Sequence, residues 1–484
     1  VYDDSVITVT IVIDDTNRDG NLEVVSKTYS NGGSAAEFTN TYKSTFGGNP
    51  ISLNGSKNLT GKTLLAGEFY FDIKEYFNGN MVGDRYVTHT ADTSADNGVY
   101  SGNIVFLDDV TYDKIGTYEY VITEQIPINK VGGTTYDESK FRFTVIIEDD
   151  LNGNLIVKSS KLEKANGANW QSTEAVVFNN TYIPDSTTAA LPLINKGIDG
   201  DRSEPLKAGE FDFEMNLVSA EPSDGIALPS DTVVSNAANG NIVFDEITFT
   251  KAGRYVVSVQ EVVPDDADKV AGITYSSQKI TAVYTVHDDR NGKLTATLTQ
   301  LIGGENIINT YAADPAEVTI DITKTFTGRA NDGWLATDKF DFNVKVVDAD
   351  TLAAIENGDI QFSFDNGSAD TATYTISSKG EKVSAAVKVN KSGTYKFVVS
   401  EVQGSIKGVV YDKTEKEIVI VATDDSANAK IKVEINGEAT NKAEVGFTNT
   451  YAIDGEDEIV LRGTKKLTGG RTQVNADEFE FGLY

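Results

Sequence analysis

A five-residue phrase that ends in Asn-Thr-Tyr recurs four times and constrains the fold more than any other feature of the chain. The copies occupy residues 38–42, 178–182, 307–311 and 447–451. Asn is a poor strand former, so its retention in four aromatic and β-branched runs requires a structural or chemical reason. The copies lie about 130 to 140 residues apart, which is long enough for a complete β-sandwich and too long for one rung of a solenoid.

The segments between these copies carry an all-β pattern. Thr, Val, Ile, Tyr and Phe are abundant, and turn pairs interrupt them about every ten residues. A chain of 484 residues is too long for one core and predicts roughly three or four domains. Short connectors at 183–191, 312–317 and 452–458 would hold successive domains close together in a line. The predicted architecture is therefore all-β, with tandem β-sandwich domains in a linear rod.

The order of motifs divides the chain into five segments. Each complete repeat opens on Lys-x-(Leu, Ile or Phe)-x-Gly, continues through Gly-x-Tyr to a Glu, and closes on the Asn phrase. We predict the C-terminal part of an incomplete domain in 1–42, complete domains in 43–182, 183–311 and 312–451, and the N-terminal strands of a further incomplete domain in 452–484. The simpler account of the incomplete ends is a window cut from a longer repeat protein. The alternative is head-to-tail completion by another copy.

Charge and composition exclude several classes of partner. The formal net charge is -31, so nucleic acid and anionic membrane surfaces would be repelled. No run of about 18 apolar residues is present, which argues against membrane insertion of this segment. Cys is absent, which excludes disulfides, thiolate metal sites and a Cys nucleophile. Val1 does not begin a signal peptide, so the protein is either cytosolic or a mature or internal piece of a secreted one.

Three polar positions persist in the repeats while most other positions vary. They are the opening Lys, the Glu that lies six residues after the Tyr of Gly-x-Tyr, and the Asn of the closing phrase. The complete repeats contain Lys57, Glu124 and Asn180, then Lys196, Glu261 and Asn309, then Lys324, Glu401 and Asn449, and the terminal segments contain Asn40 and Lys465. Taken singly, each has an ordinary interpretation as a solvated strand-edge Lys, a surface Glu, or an Asn that caps or bends a strand.

Together the three residue types favour chemistry if they meet in the core. Burying a Lys and a Glu without partners would be costly, and burial lowers the pKa of a Lys and raises that of a Glu. A neutral amine is a nucleophile, and a protonated carboxyl polarises an amide carbonyl and relays protons. Contact among the three groups supplies a high effective concentration. The expected product is a Lys-Asn isopeptide bond, with release of ammonia.

The set of motifs resembles the isopeptide-bonded immunoglobulin-like domains of Gram-positive pilins and fibrillar adhesins, and in particular the streptococcal T-antigen type of backbone pilin domain. The resemblance covers three whole repeats and both terminal segments. It implies immunoglobulin-like sandwiches with Glu124, Glu261 and Glu401 as catalytic acids, and the bonds Lys57 to Asn180, Lys196 to Asn309 and Lys324 to Asn449. Asn40 and Lys465 would be single partners of bonds whose other members lie outside this sequence. The second repeat departs from the pattern at Ile307, where the others have Phe.

The resemblance also implies a function. It predicts a structural stalk or shaft of a bacterial surface fibre, either a pilus or a fibrillar adhesin, that is extracellular and lies at the cell surface or is anchored to the cell wall. The partners would be neighbouring repeats or subunits of the same fibre. The chemistry would be a single-turnover autocatalytic reaction that requires no cofactor and no metal, so the protein would not be an enzyme. A bond between the first and last strands would stabilise each domain against tension and proteolysis.

Two other classes of function stay open at this level. An adhesin repeat would bind a host glycan or protein through the variable stretches 75–100 and 349–371. An enzyme acting on an external substrate is disfavoured, because His89 and His287 stand in unmatched contexts and no hydrolase or phosphate-loop motif occurs. A pair of glycosidase carboxylates is not excluded in so acidic a chain.

The recurring Asp pairs have a structural and a metal-binding interpretation. Residues 15–20 match the first half of a calcium loop. However, Ser26 stands where that loop requires a Glu, and the flanking segments are predicted strands. In the repeats the phrase shrinks to 150–153 and 289–292, which predicts hairpin turns.

Overall fold

The computed structural model describes residues 1–330, 333–365, 367–453, 455 and 458–484. Its regular structure is nearly all β-strand, arranged as three successive sandwiches that each enclose their own hydrophobic cluster. The prediction of an all-β protein with tandem domains is thereby confirmed. Within the described residues there is no helix long and apolar enough to cross a membrane.

An exposed hairpin precedes the sandwiches. Its antiparallel strands are β1 (Val9–Asp14) and β2 (Glu23–Tyr29). All residues of β1 are exposed, because in the described part of the chain no second sheet covers this hairpin. The strand pair and the turn predicted for this segment are present, whereas the phrase at 38–42 forms no strand here.

The first sandwich packs a 7-stranded sheet on a 4-stranded sheet. Its strands are β3 (Thr45–Phe46), β4 (Ile51–Thr60), β5 (Tyr70–Phe77), β6 (Asn80–Thr88), β7 (Val99–Val110), β8 (Gly116–Glu124), β9 (Thr134–Thr135), β10 (Lys140–Asp149), β11 (Asn154–Asn166), β12 (Asn169–Ser172) and β13 (Val176–Tyr182). The sheet orders are β12-β11-β10-β8-β5-β6, with β3 beside β11, and β7-β4-β13-β9. Strand β5 begins only at Tyr70, because Glu68 N donates to Leu65 O and closes a turn just before it.

The second sandwich has shorter strands in three sheets. They are β14 (Thr187–Ala189), β15 (Ile194–Asp199), β16 (Asp212–Glu221), β17 (Ile226–Ala227), β18 (Val233–Ser235), β19 (Asn241–Ile242), β20 (Ile247–Phe249), β21 (Gly253–Glu261), β22 (Ile273–Thr274), β23 (Lys279–Asp288), β24 (Leu294–Ile302) and β25 (Asn306–Tyr311). The sheet orders are β14-β20-β17, β19-β15-β25-β22 and β18-β16-β21-β23-β24. The four-stranded and five-stranded sheets therefore correspond to the two layers of the first sandwich.

The third sandwich pairs two 5-stranded sheets, β28-β30-β26-β35-β32 and β29-β27-β31-β33-β34. Its elements are β26 (Ala316–Thr327), β27 (Phe340–Val346), α1 (Ala349–Glu356), β28 (Ile360–Gln361), β29 (Thr371–Ile376), β30 (Lys382–Val389), β31 (Gly393–Glu401), β32 (Val409–Val410), β33 (Glu415–Asp425), β34 (Lys430–Ile435) and β35 (Lys442–Tyr451). The helix lies in the stretch 349–371 that we predicted as a variable loop. It begins where the Asp348 side chain accepts a hydrogen bond from Thr351 N, a normal N-cap. Position 366 of that stretch is outside the described residues.

The first long strand of each sandwich pairs in parallel with its last strand. The pairs are β4 with β13, β15 with β25, and β26 with β35. In this register Lys57 lies opposite Phe178, and the equivalent Lys residues lie opposite Ile307 and Phe447. Each closing Asn therefore lies two residues beyond the partner of its Lys, on the same face of the closing strand.

The segment after β35 differs from the openings of the sandwiches. Positions 454, 456 and 457, which belong to the connector predicted at 452–458, are outside the described residues. No strand is present in 458–484, where the sequence predicted the first strands of a further domain. A strand needs a paired neighbour to complete its ladder, and in the described residues no closing strand lies beside this segment.

Candidate functional site

Three buried clusters lie at equivalent positions in the three sandwiches. Each contains a Lys from the first long strand, an Asn from the adjacent last strand, and a Glu that reaches across the core from the facing sheet. All of these residues are at most 6% exposed. The structure thus brings together the predicted residues, namely Lys57, Glu124 and Asn180, then Lys196, Glu261 and Asn309, then Lys324, Glu401 and Asn449.

The strand periodicity explains why these polar groups point inwards. In β13, residues 176, 178, 180 and 182 are buried while the alternate residues are more exposed, so Asn180 shares the core face with two aromatic side chains. Glu124 is the last residue of β8 and continues the inward series of that strand. The same alternation in β25 and β35 buries the other two closing Asn residues.

In the first and third sandwiches the Glu carboxylate bridges the other two groups. The Lys57 ammonium donates to Glu124 Oε2 at 2.7 Å, and Asn180 Nδ2 donates to Glu124 Oε1 at 2.6 Å. The corresponding distances in the third sandwich are 2.9 and 2.8 Å. One carboxylate oxygen serves each nitrogen, so the carboxylate is placed to exchange protons with both.

The second sandwich arranges the same residue types differently. Lys196 Nζ lies 2.9 Å from Glu261 Oε1 without hydrogen-bond geometry, and Asn309 Nδ2 donates to the same oxygen at 2.8 Å. This is also the repeat with Ile307 in place of Phe. In the other sandwiches that Phe lies against an aromatic ring of the facing strand, with centroids 4.9 and 5.2 Å apart. The departure seen in the sequence therefore coincides with a departure in the cluster.

A backbone N–H group binds the side-chain oxygen of each closing Asn. The donors are Asp137 at 2.8 Å, Ser276 at 2.8 Å and Asp412 at 2.7 Å. Sequence analysis missed these groups because a backbone donor has no residue-type signature. The available signal was positional, since each donor directly follows a Tyr that recurs at the same place in every complete repeat.

In the first and third sandwiches the donor residue also anchors its own loop. Asp137 Oδ2 accepts a hydrogen bond from Asn179 N at 2.7 Å, and Asp412 Oδ2 accepts one from Thr448 N at 3.0 Å. Each acceptor thereby ties the loop to the residue that precedes the closing Asn. Ser276 is too short for this role, and its hydroxyl accepts instead from Gln278 N within the loop.

Burial sets the protonation preferences of the cluster. It lowers the pKa of Lys57 to about 8, against the opposing influence of Glu124, and it raises the pKa of Glu124. Burial likewise lowers the pKa of Lys196 and Lys324. Both directions reduce the cost of a neutral amine beside a neutral carboxyl, because low-dielectric surroundings disfavour the charged forms.

The two terminal site residues are not brought to such a cluster. Asn40 is exposed, and its Oδ1 accepts a hydrogen bond from Asp3 N at 2.9 Å. Lys465 Nζ lies 4.5 Å from the centroid of the Phe479 ring. The same contact recurs in the sandwiches, where Lys57 lies 4.4 Å from the Phe69 centroid. The segment after β35 therefore keeps one local contact of a repeat opening.

The Asp pairs form turns, as the shortened phrases predicted. The pairs 149–150, 288–289 and 424–425 stand where β10, β23 and β33 end, at the turns into β11, β24 and β34. Asp150 Oδ1 accepts from Asn152 N, and Asp289 Oδ1 accepts from Asn291 N, each at 2.7 Å. Such side-chain to backbone bonds two residues ahead stabilise a tight turn.

Three segments of the chain match one protein family. The model of the FctA family, described as the Spy0128-like isopeptide containing domain, matches residues 53–183, 193–312 and 320–452. Each segment includes one buried cluster. No curated protein matches the chain.

Solved structures give a weaker likeness. The major pilin of Streptococcus pyogenes has 17% identity and a TM-score of 0.24, over 54% of this chain and 98% of the pilin. Its T-13 form has 16% identity and a TM-score of 0.23 over 54% and 98%. The pilus adhesin SpaC from Lactobacillus rhamnosus GG has 11% identity and a TM-score of 0.17, over 83% of this chain and 44% of the adhesin. Superpositions at such TM-scores carry no argument about function.

Proposed function

We propose, since this chain belongs to the family of Spy0128-like isopeptide containing domains, that it is a structural shaft segment of a bacterial surface fibre. Each sandwich would be locked by an intramolecular Lys-Asn isopeptide bond. One observation carries the proposal: a buried Lys, Glu and Asn meet in all three sandwiches, between strands that begin and end the unit.

The reaction needs only the three side chains of each cluster. The neutral amine of Lys57 attacks Cγ of Asn180, so that an Nζ–Cγ bond forms and the Cγ–Nδ2 bond breaks. Glu124 contacts both nitrogens, so it takes a proton from Nζ and delivers one to Nδ2, which leaves as ammonia. Glu124 returns to its starting state, and the turnover ends because the nucleophile has been consumed.

The backbone donor completes the site. The N–H of Asp137 lies 2.8 Å from the Asn180 side-chain oxygen, where negative charge develops as the amine adds to the carbonyl. A fixed donor in a water-excluded place stabilises that charge without reorganisation. Equivalent donors in the other two sandwiches support the same mechanism there.

The bond would change the mechanics of each unit. It joins the first and last strands, so tension would pass between them without unfolding the strands in between. Cross-links that close loops of about a hundred residues stabilise by on the order of 4 to 5 kcal/mol through the entropy of the unfolded chain. A chain without Cys gains in this way what secreted proteins obtain from disulfides.

Location and partners form part of the same proposal. A shaft segment of this family would lie outside a Gram-positive cell, on its surface, with neighbouring repeats or subunits of the fibre as partners. The net charge of -31 suits a solvated fibre that does not adhere to nucleic acid or to its own anionic membrane.

The intact mass of the denatured protein tests the bonds. We expect a deficit of three ammonia molecules relative to the mass calculated from the sequence. Glu124→Ala, Glu261→Ala and Glu401→Ala should each restore one of them. Glu163→Ala is the matched control, because Glu163 is also buried but pairs with Arg142 outside the clusters. A full calculated mass for the unaltered protein would refute the proposal.

A further inference from the structure

In the first three Asn phrases the final Tyr contacts the sandwich that follows it. The Tyr182 hydroxyl donates to Asp288 Oδ1 at 2.6 Å and accepts from Gly292 N at 3.1 Å. The Tyr311 hydroxyl donates to Asp424 Oδ1 at 2.6 Å. Both acceptors are the first members of the Asp pairs. Besides closing a hairpin, each of these turns therefore binds a Tyr hydroxyl from the preceding repeat, which its local sequence does not explain.

The same contact occurs at the start of the first sandwich. The Tyr42 hydroxyl donates to Asp149 Oδ1 and accepts from Gly153 N, both at 2.8 Å. Three successive junctions therefore use one Tyr and one Asp in the same roles. A chance surface contact would not repeat with the same atoms at three places.

The backbone repeats the register as well. The residue three positions after each Tyr donates its N–H to the far side of the hairpin. The bonds run from Thr45 N to Gly153 O at 3.0 Å, from Asp185 N to Gly292 O at 2.9 Å, and from Asp314 N to Ala429 O at 2.7 Å. Side-chain and backbone contacts together define one orientation at each junction.

Tyr182 and Tyr311 are each packed against the first strand of their own sandwich. A Cβ at Gly61 would lie 2.0 Å from Tyr182 O, and a Cβ at Gly200 would lie 2.2 Å from Tyr311 O. Both glycines also have φ above +100°, which a side chain would strain. They are the Gly residues of the Lys-x-x-x-Gly opening motif, so that motif lets the closing Tyr pack against the first strand. Lys62 Nζ lies 4.3 Å from the Tyr182 ring centroid and covers the ring.

The hydroxyl is a stable donor in this setting. Burial, followed by the hydrogen bond to the Asp, raises the pKa of both Tyr182 and Tyr311 to about 12. The proton therefore stays on the Tyr at neutral pH, and the Asp remains the acceptor. Hydrogen bonds to a charged partner are stronger than those between neutral groups.

The two junctions between sandwiches, at Tyr182 and at Tyr311, differ in their further contacts. At the first, the Arg290 guanidinium donates to Thr63 O and Thr63 Oγ1, both at 2.9 Å. At the second, Ser203 N donates to Asp424 Oδ2 at 2.8 Å. The Tyr-Asp contact is the common element, and the remaining contacts vary around it.

We propose that the closing Tyr and the Asp-pair hairpin form a joint that fixes the orientation of each repeat on the next. The hairpin is a binding site for a Tyr hydroxyl, and its partner is a preceding repeat that ends in Asn-Thr-Tyr. This joint is independent of the isopeptide bonds, since none of its atoms belongs to the Lys, Glu and Asn clusters. Successive sandwiches would then keep a fixed orientation to one another.

Hydrogen exchange of the full chain tests the joint. In Tyr182→Phe the ring is retained and only the hydroxyl is lost, so folding of the sandwich is preserved. We expect exchange of the Asp185 amide to accelerate by about tenfold, because a bond to a charged group is worth roughly that factor. Exchange of the Asp314 amide should not change. Tyr311→Phe should produce the reverse pattern.

Two control variants separate the joint from a general loss of a Tyr hydroxyl. Tyr255 donates to Lys251 O inside the second sandwich, and the Tyr451 hydroxyl makes no hydrogen bond within the described residues. Tyr255→Phe and Tyr451→Phe should leave both amides unchanged.

A distance measurement gives a second readout. The chain has no Cys, so spin labels can be attached only at the introduced residues of Ser160→Cys and Thr297→Cys. These positions lie in the first and second sandwiches, on either side of the junction at Tyr182. The interlabel distance distribution should be narrow and should broaden in Tyr182→Phe. Unchanged exchange at Asp185 together with an unchanged distribution would overturn the proposal.

Discussion

Two ion pairs on strand β26 lie three residues apart and differ in nearly every property that matters for reactivity. Lys324 faces the core and contacts Glu401 at 2.9 Å, and neither side chain is exposed to solvent. Asp321 lies on the outer face and contacts Lys382 at 2.7 Å and Lys442 at 2.9 Å. The charged groups are therefore 2.7 to 2.9 Å apart in both places.

Access to water separates the two sites. The side chains of Lys382 and Lys442 are 46% and 43% exposed, so their ammonium groups stay hydrated while they cover Asp321. Hydrogen bonds from Lys382, Ser384 and Lys442 hold the pKa of Asp321 well below its usual range, and Asp321 in turn raises the pKa of Lys442 to about 12. At Lys324, burial lowers the pKa instead.

Under the proposed mechanism, proximity alone would not prepare a Lys for bond formation. A hydrated ammonium has no free electron pair, and an ionised carboxylate is a poor electrophile. The inner cluster has a Lys324 amine shielded from water, an Asn449 amide whose oxygen accepts a hydrogen bond from a backbone N–H, and a Glu401 carboxyl that contacts both nitrogens.

The largest effect that separates the two sites is the loss of the cross-link. Trp334 packs on Phe326 and Phe340 in the third sandwich, so its fluorescence reports on that sandwich once Trp170 is changed to Phe. In this background Lys324→Met should restore one ammonia mass and lower the free energy of unfolding by about 4 to 5 kcal/mol. Guanidinium unfolding followed by Trp334 fluorescence measures the change.

The exposed ion pair of Lys345 provides the control for that measurement. Lys345→Met should leave both the deficit from the calculated mass and the unfolding curve almost unchanged. An unfolding curve for Lys324→Met that matches the control would contradict the prediction.

The outer pair should show a smaller and purely noncovalent effect. Asp321→Ala removes the acceptor of two Lys residues, and their exposure screens the interaction. We expect a loss of about 1 kcal/mol in the same fluorescence assay, while the deficit from the calculated mass stays the same as in the reference protein. A smaller deficit in this variant would mean that the outer pair also reacts, and the comparison would fail.

The smallest expected difference between the two sites is in how the stability change caused by each substitution depends on pH. The pKa of Asp321 is lower in the folded protein than in the unfolded chain, so its contribution is fully present above about pH 4 and is lost as the pH falls further. The stability difference between Asp321→Ala and the reference should therefore shrink in acid. The difference caused by Lys324→Met should persist, because an amide bond carries no titrating ammonium. Unfolding curves between neutral and acid pH would measure both.

The sequence was sufficient to find the residues of the inner clusters, because equivalent positions can be compared among the three complete repeats. Lys57, Glu124 and Asn180 each look ordinary alone, and their recurrence in step made burial a reasonable prediction. The structure adds that strand alternation turns Asn180 inward together with Phe178 and Tyr182. The even spacing between the Tyr and the Glu places both on one face of a strand, but it does not say whether that face is the core. The structure shows that it is, since Glu124 is buried at the end of β8.

Other features were beyond sequence reasoning for identifiable reasons. The Asp137 donor is a backbone group, so no residue type marks it. The Asp321 cluster occurs in one repeat and has no internal comparison. The Asp pairs were predicted as turns from local chemistry, but the Tyr that binds Asp288 comes from another sandwich more than a hundred residues away. Helix α1 interrupts an otherwise all-β pattern with a segment too short for a clear helical period.

The parallel pairing of first and last strands has a consequence for the way a repeat resists being stretched. When the two ends of a sandwich are pulled apart, β4 is drawn backwards and its neighbour β13 forwards along the same axis. Their hydrogen bonds then lie across the direction of sliding and are loaded in shear, all at once, instead of opening one after another like a zipper. This strand order alone therefore makes each repeat mechanically stiff, independently of the proposed isopeptide bond.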